Sequence, residues 1–185
     1  MDKEYLMLRE EIILSMKTVK NYNNLLYTAT TALLAFAFSA SKEILFLLPF
    51  IVIFPLYFLT KREMMQVLRI GAYITIFLEE KSNIFWERRL IMYDTMFSKN
   101  KHKHIPLNAY SGLSFLCIVL SASHTNYSNF DVYCIICLSI QIILTIISII
   151  LFVIKSPNYI KMKKEYLKQW ERIKNIELSK SIQKV

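Results

Sequence analysis

Four apolar stretches, at residues 25–40, 44–59, 107–123 and 132–154, are set among segments rich in charge. The last carries no charged residue along its length. The first two fall a little short of the roughly 20 residues that a membrane-crossing helix requires, and the polar flanks at 22–24 and Thr60 extend them. The third is interrupted by Tyr110, Ser111, Gly112, Ser114 and Ser121. Only Ser41, Lys42 and Glu43 separate the first stretch from the second, and residues 124–131 separate the third from the fourth. Each pair therefore reads as a helical hairpin. The pattern predicts an all-α polytopic membrane protein with four transmembrane helices.

A different period governs the segments between and around these stretches. Met64, Val67, Ile70, Ile74 and Phe77 recur at helical spacing and predict an amphipathic helix over 61–79. Trp86, Leu90, Tyr93 and Phe97 predict a second over 84–97, with 79–83 as the turn between them. In the tail, Tyr159, Met162, Tyr166, Trp170 and Ile173 share one face. Leu8, Ile12, Val19 and Tyr22 give the N-terminal segment a matching face, so it is the expected packing partner of the tail. Four parts follow: 1–60, an amphipathic helix and the first hairpin; 61–106, a helical loop; 107–154, the second hairpin; and 155–185, a C-terminal helix.

Charge then orients the chain. It holds 23 Lys and Arg against 14 Asp and Glu, a formal net charge of +9. Segments 1–23, 61–106 and 155–185 carry four, nine and nine of those bases, and Lys42 is the remaining one. Basic residues are retained on the cytoplasmic side during insertion. Both termini and the central loop are thus expected in the cytoplasm, with the protein multi-pass in the inner (plasma) membrane. The first 22 residues are mixed in charge and lack the apolar core of a signal peptide, so the first span is expected to be an uncleaved anchor.

Polar stripes run through the apolar stretches. Thr28, Thr31, Ala35 and Ser39 share a helical face in the first, Ser111, Ser114 and Ser121 in the third, and Gln141, Thr145 and Ser148 in the fourth. Such residues serve close helix packing or, in an oligomer, line a narrow pore; Gln141, near the middle of the longest stretch, is the foremost pore candidate. Pro49 and Pro55 are expected to shape or kink the second span. No Asp, Glu, Lys, Arg or His lies within a span away from its ends, which weighs against ion-coupled transport.

Outside the spans, Lys99, Lys101 and Lys103, with His102 and His104, form a basic run suited to anionic lipid headgroups. Together with Arg69, Trp86, Glu87, Arg88 and Arg89 they are candidates for contact with a cytoplasmic protein or nucleotide signal. The Glu87–Arg89 cluster, with Glu79 and Glu80, reads most simply as a salt-bridged helical face. Aromatic and basic residues interleave in the tail, but beside a membrane span that pattern is ordinary, and nucleic acid is not the expected partner. Cys117, Cys134 and Cys137 lie in apolar surroundings and are expected to pack. With two glycines and no phosphate loop, serine elbow or zinc set, the chain is expected to be no enzyme and to hold no cofactor or metal.

The run from Arg69 through Ile70, Gly71, Tyr73, Ile74, Phe77 and Glu79, followed by Trp86, Glu87 and Arg89, resembles a segment of small bacterial membrane proteins. In these a two-span hairpin precedes "RI-x-x-YI-x-x-F-x-E … WE-x-R". The resemblance covers residues 25–90. By architecture alone, such proteins are similar to accessory or effector proteins beside anti-phage systems, including CRISPR-associated ones. That analogy implies an oligomeric membrane effector that permeabilises or perturbs the bilayer on a cytoplasmic signal. The alternatives are a membrane-anchored scaffold or regulator that recruits a cytoplasmic partner and, behind it, a small channel or transporter.

Overall fold

The structure, a computed structural model, describes residues 3–40, 42–79, 85–97, 105–125, 132–154 and 158–182. Among these the fold is all-α, with six α-helices and no strand. They are α1 (Lys3–Ala40), α2 (Phe50–Tyr73), α3 (Trp86–Phe97), α4 (Ile105–His124), α5 (Val132–Ile149) and α6 (Tyr159–Ile182). A 3₁₀ turn (Glu43–Leu47) precedes α2, and short π-helical segments extend α2 (Ile74–Leu78) and α5 (Ile150–Ile154). Two helical stretches, Glu43–Leu78 and Val132–Phe152, are long and apolar enough to cross a membrane. Ala109–His124 is apolar but shorter.

Three departures from the sequence reading stand out; in one, the second apolar stretch and the helix expected over 61–79 run on as α2 with its π extension. The N-terminal amphipathic helix and the first apolar stretch form a single helix of 38 residues. No Gly or Pro stands at 22–24 or elsewhere in it to break the hydrogen-bond ladder. Pro49 lies before α2, its carbonyl accepting from the amides of Val52 and Ile53 at 2.9 Å. A proline at a helix start gives up no ladder bond, so only Pro55 lies inside α2.

The chain folds as two compact units. One comprises residues 1–19, 61–103 and 157–185. Its core joins Tyr5 of α1 to Ile70, Ile74 and Leu78, with Leu8, Ile12, Tyr73 and Phe77 packed alongside. Leu8 and Ile12 thus meet the end of α2. From α6, Trp170 lies edge-on to the rings of Tyr73 and Phe77, with centroids 5.1 and 6.1 Å apart. The other unit comprises 20–60 and 104–156. Leu26, Ala37, Phe46, Ile53, Tyr57, Tyr110, Cys117 and Cys137 are buried within it.

The exterior of this second unit is unusually apolar for a water-soluble domain, and several polar groups lie buried beside its apolar core. Phe36, Ile51, Phe115, Val132, Ile142, Ile143 and Ile146 are exposed, while Thr60, Ser114, Ser121, Thr125 and Gln141 are buried. Only 17% of the most apolar part of Val132–Phe152 is covered by the rest of the chain. A core helix of a soluble protein would be mostly covered.

Candidate functional site

Of the three polar stripes, the fold buries two and exposes one. Gln141 is 6% exposed, and its amide nitrogen donates to Ser121 Oγ at 2.9 Å and to Thr125 Oγ1 at 3.1 Å. Ser121 donates in turn to the carbonyl of Glu43 at 2.9 Å, and Thr125 to the carbonyl of Ser121 at the same distance. This ladder ties α4, α5 and the 3₁₀ turn together through groups that have no water to bond in an apolar setting. Ser114 is buried and bonds back to the carbonyl of Tyr110. Ser111 and Thr145 are half-buried, and Thr145 donates to the carbonyl of Gln141. Ser148 is buried, and neither its hydroxyl nor that of Thr30 has a hydrogen-bond partner among the described residues.

Thr28, Thr31, Ala35 and Ser39 lie on the exposed face of α1. Thr28 and Ser39 direct their hydroxyls to carbonyls one turn back, at 3.0 Å on Asn24 and 3.1 Å on Ala35. A hydroxyl bonded to its own helix leaves a small, apolar-compatible outline that another helix can approach closely. A second buried network links Thr60 and Tyr110 hydroxyls at 2.7 Å, with Tyr110 donating to Asn23 Oδ1 at 3.3 Å.

In the first unit the motif residues interlock. Glu79 is fully buried. Its carboxylate accepts the backbone N–H of Glu87 at 2.5 Å and that of Arg88 at 3.2 Å on both oxygens. These are among the free donors of the first turn of α3, where a negative charge also complements the helix dipole. Glu87 pairs with Lys163 of α6 at 2.9 Å. Its carboxylate rests against Gly71, where a Cβ would come within 3.2 Å of Oε2. Of the expected salt-bridged face of Glu79, Glu80 and Glu87–Arg89, Glu79 instead caps a helix, Glu87 forms its ion pair with a lysine of another helix, and Glu80 lies outside the described residues.

Both π segments leave a carbonyl that takes a partner from elsewhere in its own unit. Lys174 Nζ donates to the carbonyl of Ile76 at 3.1 Å, and Tyr57 donates to that of Leu151 at 3.0 Å. Tyr73 donates its hydroxyl to Glu4 at 2.7 Å. That hydrogen bond, then burial and the charges of Glu4 and Glu177, push the phenol up to about 12.

The remaining candidates are dispersed. Arg88 and Arg89 are exposed, the former with its guanidinium 5.7 Å from the Phe85 ring centre. Arg69 is exposed on α2, its carbonyl accepting from the Trp170 indole at 3.2 Å. Trp86 opens α3. Lys99, Lys101 and Lys103 lie outside the described residues. The three cysteines are buried free thiols, and no group of three or more His, Cys, Asp or Glu is placed to hold a metal among the described residues. The sequence reading missed Glu79 as a cap, Lys163 and Lys174 as partners, and the grouping of Arg62 with Arg69. The helical 62–69 spacing was the one available signal.

No protein-family model, characterised protein or solved structure matches this chain.

Proposed function

We propose that this chain is a four-span inner-membrane protein with both termini cytoplasmic, and that copies associate into an effector that perturbs the bilayer on a cytoplasmic signal. The supporting observation is the apolar exterior of the second unit, because large exposed apolar side chains around polar groups that are buried and hydrogen-bonded suit lipid. The exposed Thr28–Thr31–Ala35–Ser39 face is the surface on which copies would meet. The architectural analogy points such an effector toward anti-phage defence.

The test is membrane potential, read with a voltage-sensitive dye in cells inducing the chain, with and without phage infection. Depolarisation that Thr31→Leu abolishes, together with disulfide-linked dimers of Ser39→Cys, is the expected result. A steady potential in every condition, with the protein in the membrane fraction, sinks the effector reading. The second reading, an anchored scaffold, then takes its place. It is favoured by Gln141, whose amide donors are spent inside one chain rather than offered to a pore.

A further inference from the structure

A surface pocket of about 320 Å³ lies between α2 and α6, lined by Arg62, Met65, Gln66, Arg69 and Tyr166. Three features make it more than a basic stretch of helix. It draws on two elements, so the fold builds it. Arg62 and Arg69 stand two turns apart, roughly 10 Å along the axis, and both line the same hollow. Neither guanidinium makes an ion pair with a described residue, whereas Lys163 in the same unit is paired. Met65 and the half-buried Tyr166 add an apolar wall and a phenol donor.

We infer that this pocket receives a phosphate-bearing ligand, gripped by the Arg62 and Arg69 guanidiniums with Tyr166 beside it. Guanidinium matches phosphate oxygens with paired, charge-assisted hydrogen bonds, and the volume suits a small head rather than a polymer. A phosphorylated solute and a phospholipid headgroup offer the same chemistry. Acidic neighbours oppose it: Glu63 and Glu165 adjoin Arg62 and Tyr166 in the chain, and Glu11 accepts from the Gln66 amide at 2.6 Å, next to the pocket though not in its lining. Their charge weakens anion binding, which gives the idea a sign that simple packing would not have. The inference deepens the proposed function by giving its signal a receptor, yet binding does not depend on permeabilisation.

The experiment uses the full chain in phosphatidylcholine nanodiscs, which leave both faces open. Inorganic pyrophosphate is titrated by calorimetry, and thermal unfolding is compared with and without phosphatidylglycerol in the disc. Arg62→Gln and Arg69→Gln change exposed side chains and leave the core intact. Pyrophosphate binding that each weakens about tenfold, and that Glu11→Gln strengthens, identifies a soluble ligand. Stabilisation by phosphatidylglycerol alone, lost in the arginine variants, identifies a headgroup. Lys164 and Lys168, exposed on α6 outside this pocket, are the control. Equal loss in Lys164→Gln/Lys168→Gln overturns the site in favour of general attraction to a basic surface. No response to either probe also overturns it. Since binding is read directly, these results stand whether or not cells depolarise.

Discussion

Removing the Glu79 carboxylate should release the first turn of α3. In Glu79→Ala the amides of Glu87 and Arg88 lose their acceptor. A hydrogen bond to a charged group contributes about 1.5–3 kcal/mol, and a charge at a helix N-terminus adds about 0.3–1 kcal/mol. Both amides are only part-buried, so water replaces some of what is lost. The net cost should be about 2–4 kcal/mol. Glu79→Gln keeps an acceptor oxygen but loses the charge, and should cost about half as much. Hydrogen exchange at 87 and 88 is the assay, because it reads local opening without requiring the whole chain to unfold in one step. Exchange there should accelerate by about 30-fold or more in Glu79→Ala, while the exposed control Glu10→Gln leaves it unchanged. Unaltered exchange would show that the carboxylate does not hold the helix. Equal costs for Ala and Gln would assign the effect to the lost charge rather than to the acceptor or to side-chain volume.

Gly71→Ala should be close to neutral by thermal unfolding: the gain of about 1 kcal/mol for alanine over glycine in a helix offsets the shift demanded of Glu87, 3.2 Å from the new Cβ. Gly71→Leu should displace Glu87, and the signature is loss of its coupling to Lys163. Lys163→Met and Glu87→Gln should each cost about 1–3 kcal/mol and couple by about 1–2 kcal/mol in a double-mutant cycle; strict additivity would deny the 2.9 Å pair any stabilising role. Gln141→Leu should lower thermal stability by only about 1–2 kcal/mol, because Ser121 and Thr125 keep carbonyl acceptors of their own. For Tyr73, folding raises the phenol from 10.0 to about 12. Between those values the unfolded chain loses a proton that the folded one keeps, so stability is full below pH 10 and falls as pH rises to 12. Tyr73→Phe should flatten that part of the unfolding profile, and an unchanged slope would contradict the Glu4 hydrogen bond.

The helical class was legible in the sequence, because apolar periodicity acts over one or two turns, but the boundaries expected near 23 and 60 fall inside the continuous helices α1 and α2. The helix expected over 61–79 is the second half of α2 with its π extension, continuous with the apolar stretch before it, and that expected over 84–97 appears as α3 (Trp86–Phe97). Which way each helix faces was decided only in the tertiary structure. Thr30 and Thr31 are neighbours, yet Thr30 is buried and Thr31 exposed, because one residue turns a helix face by about 100° and only packed neighbours choose between them. The three polar stripes share one spacing for the same reason: Gln141 turns inward to Ser121, 20 residues earlier, while Thr28 and Ser39 turn outward. Glu79 and Glu87 show the limit most clearly. As acids eight residues apart in a charged motif they read as a surface. Only the packing of α6 against the end of α2 and the start of α3 at residue 86 gives one a helix to cap and the other a lysine 76 residues away.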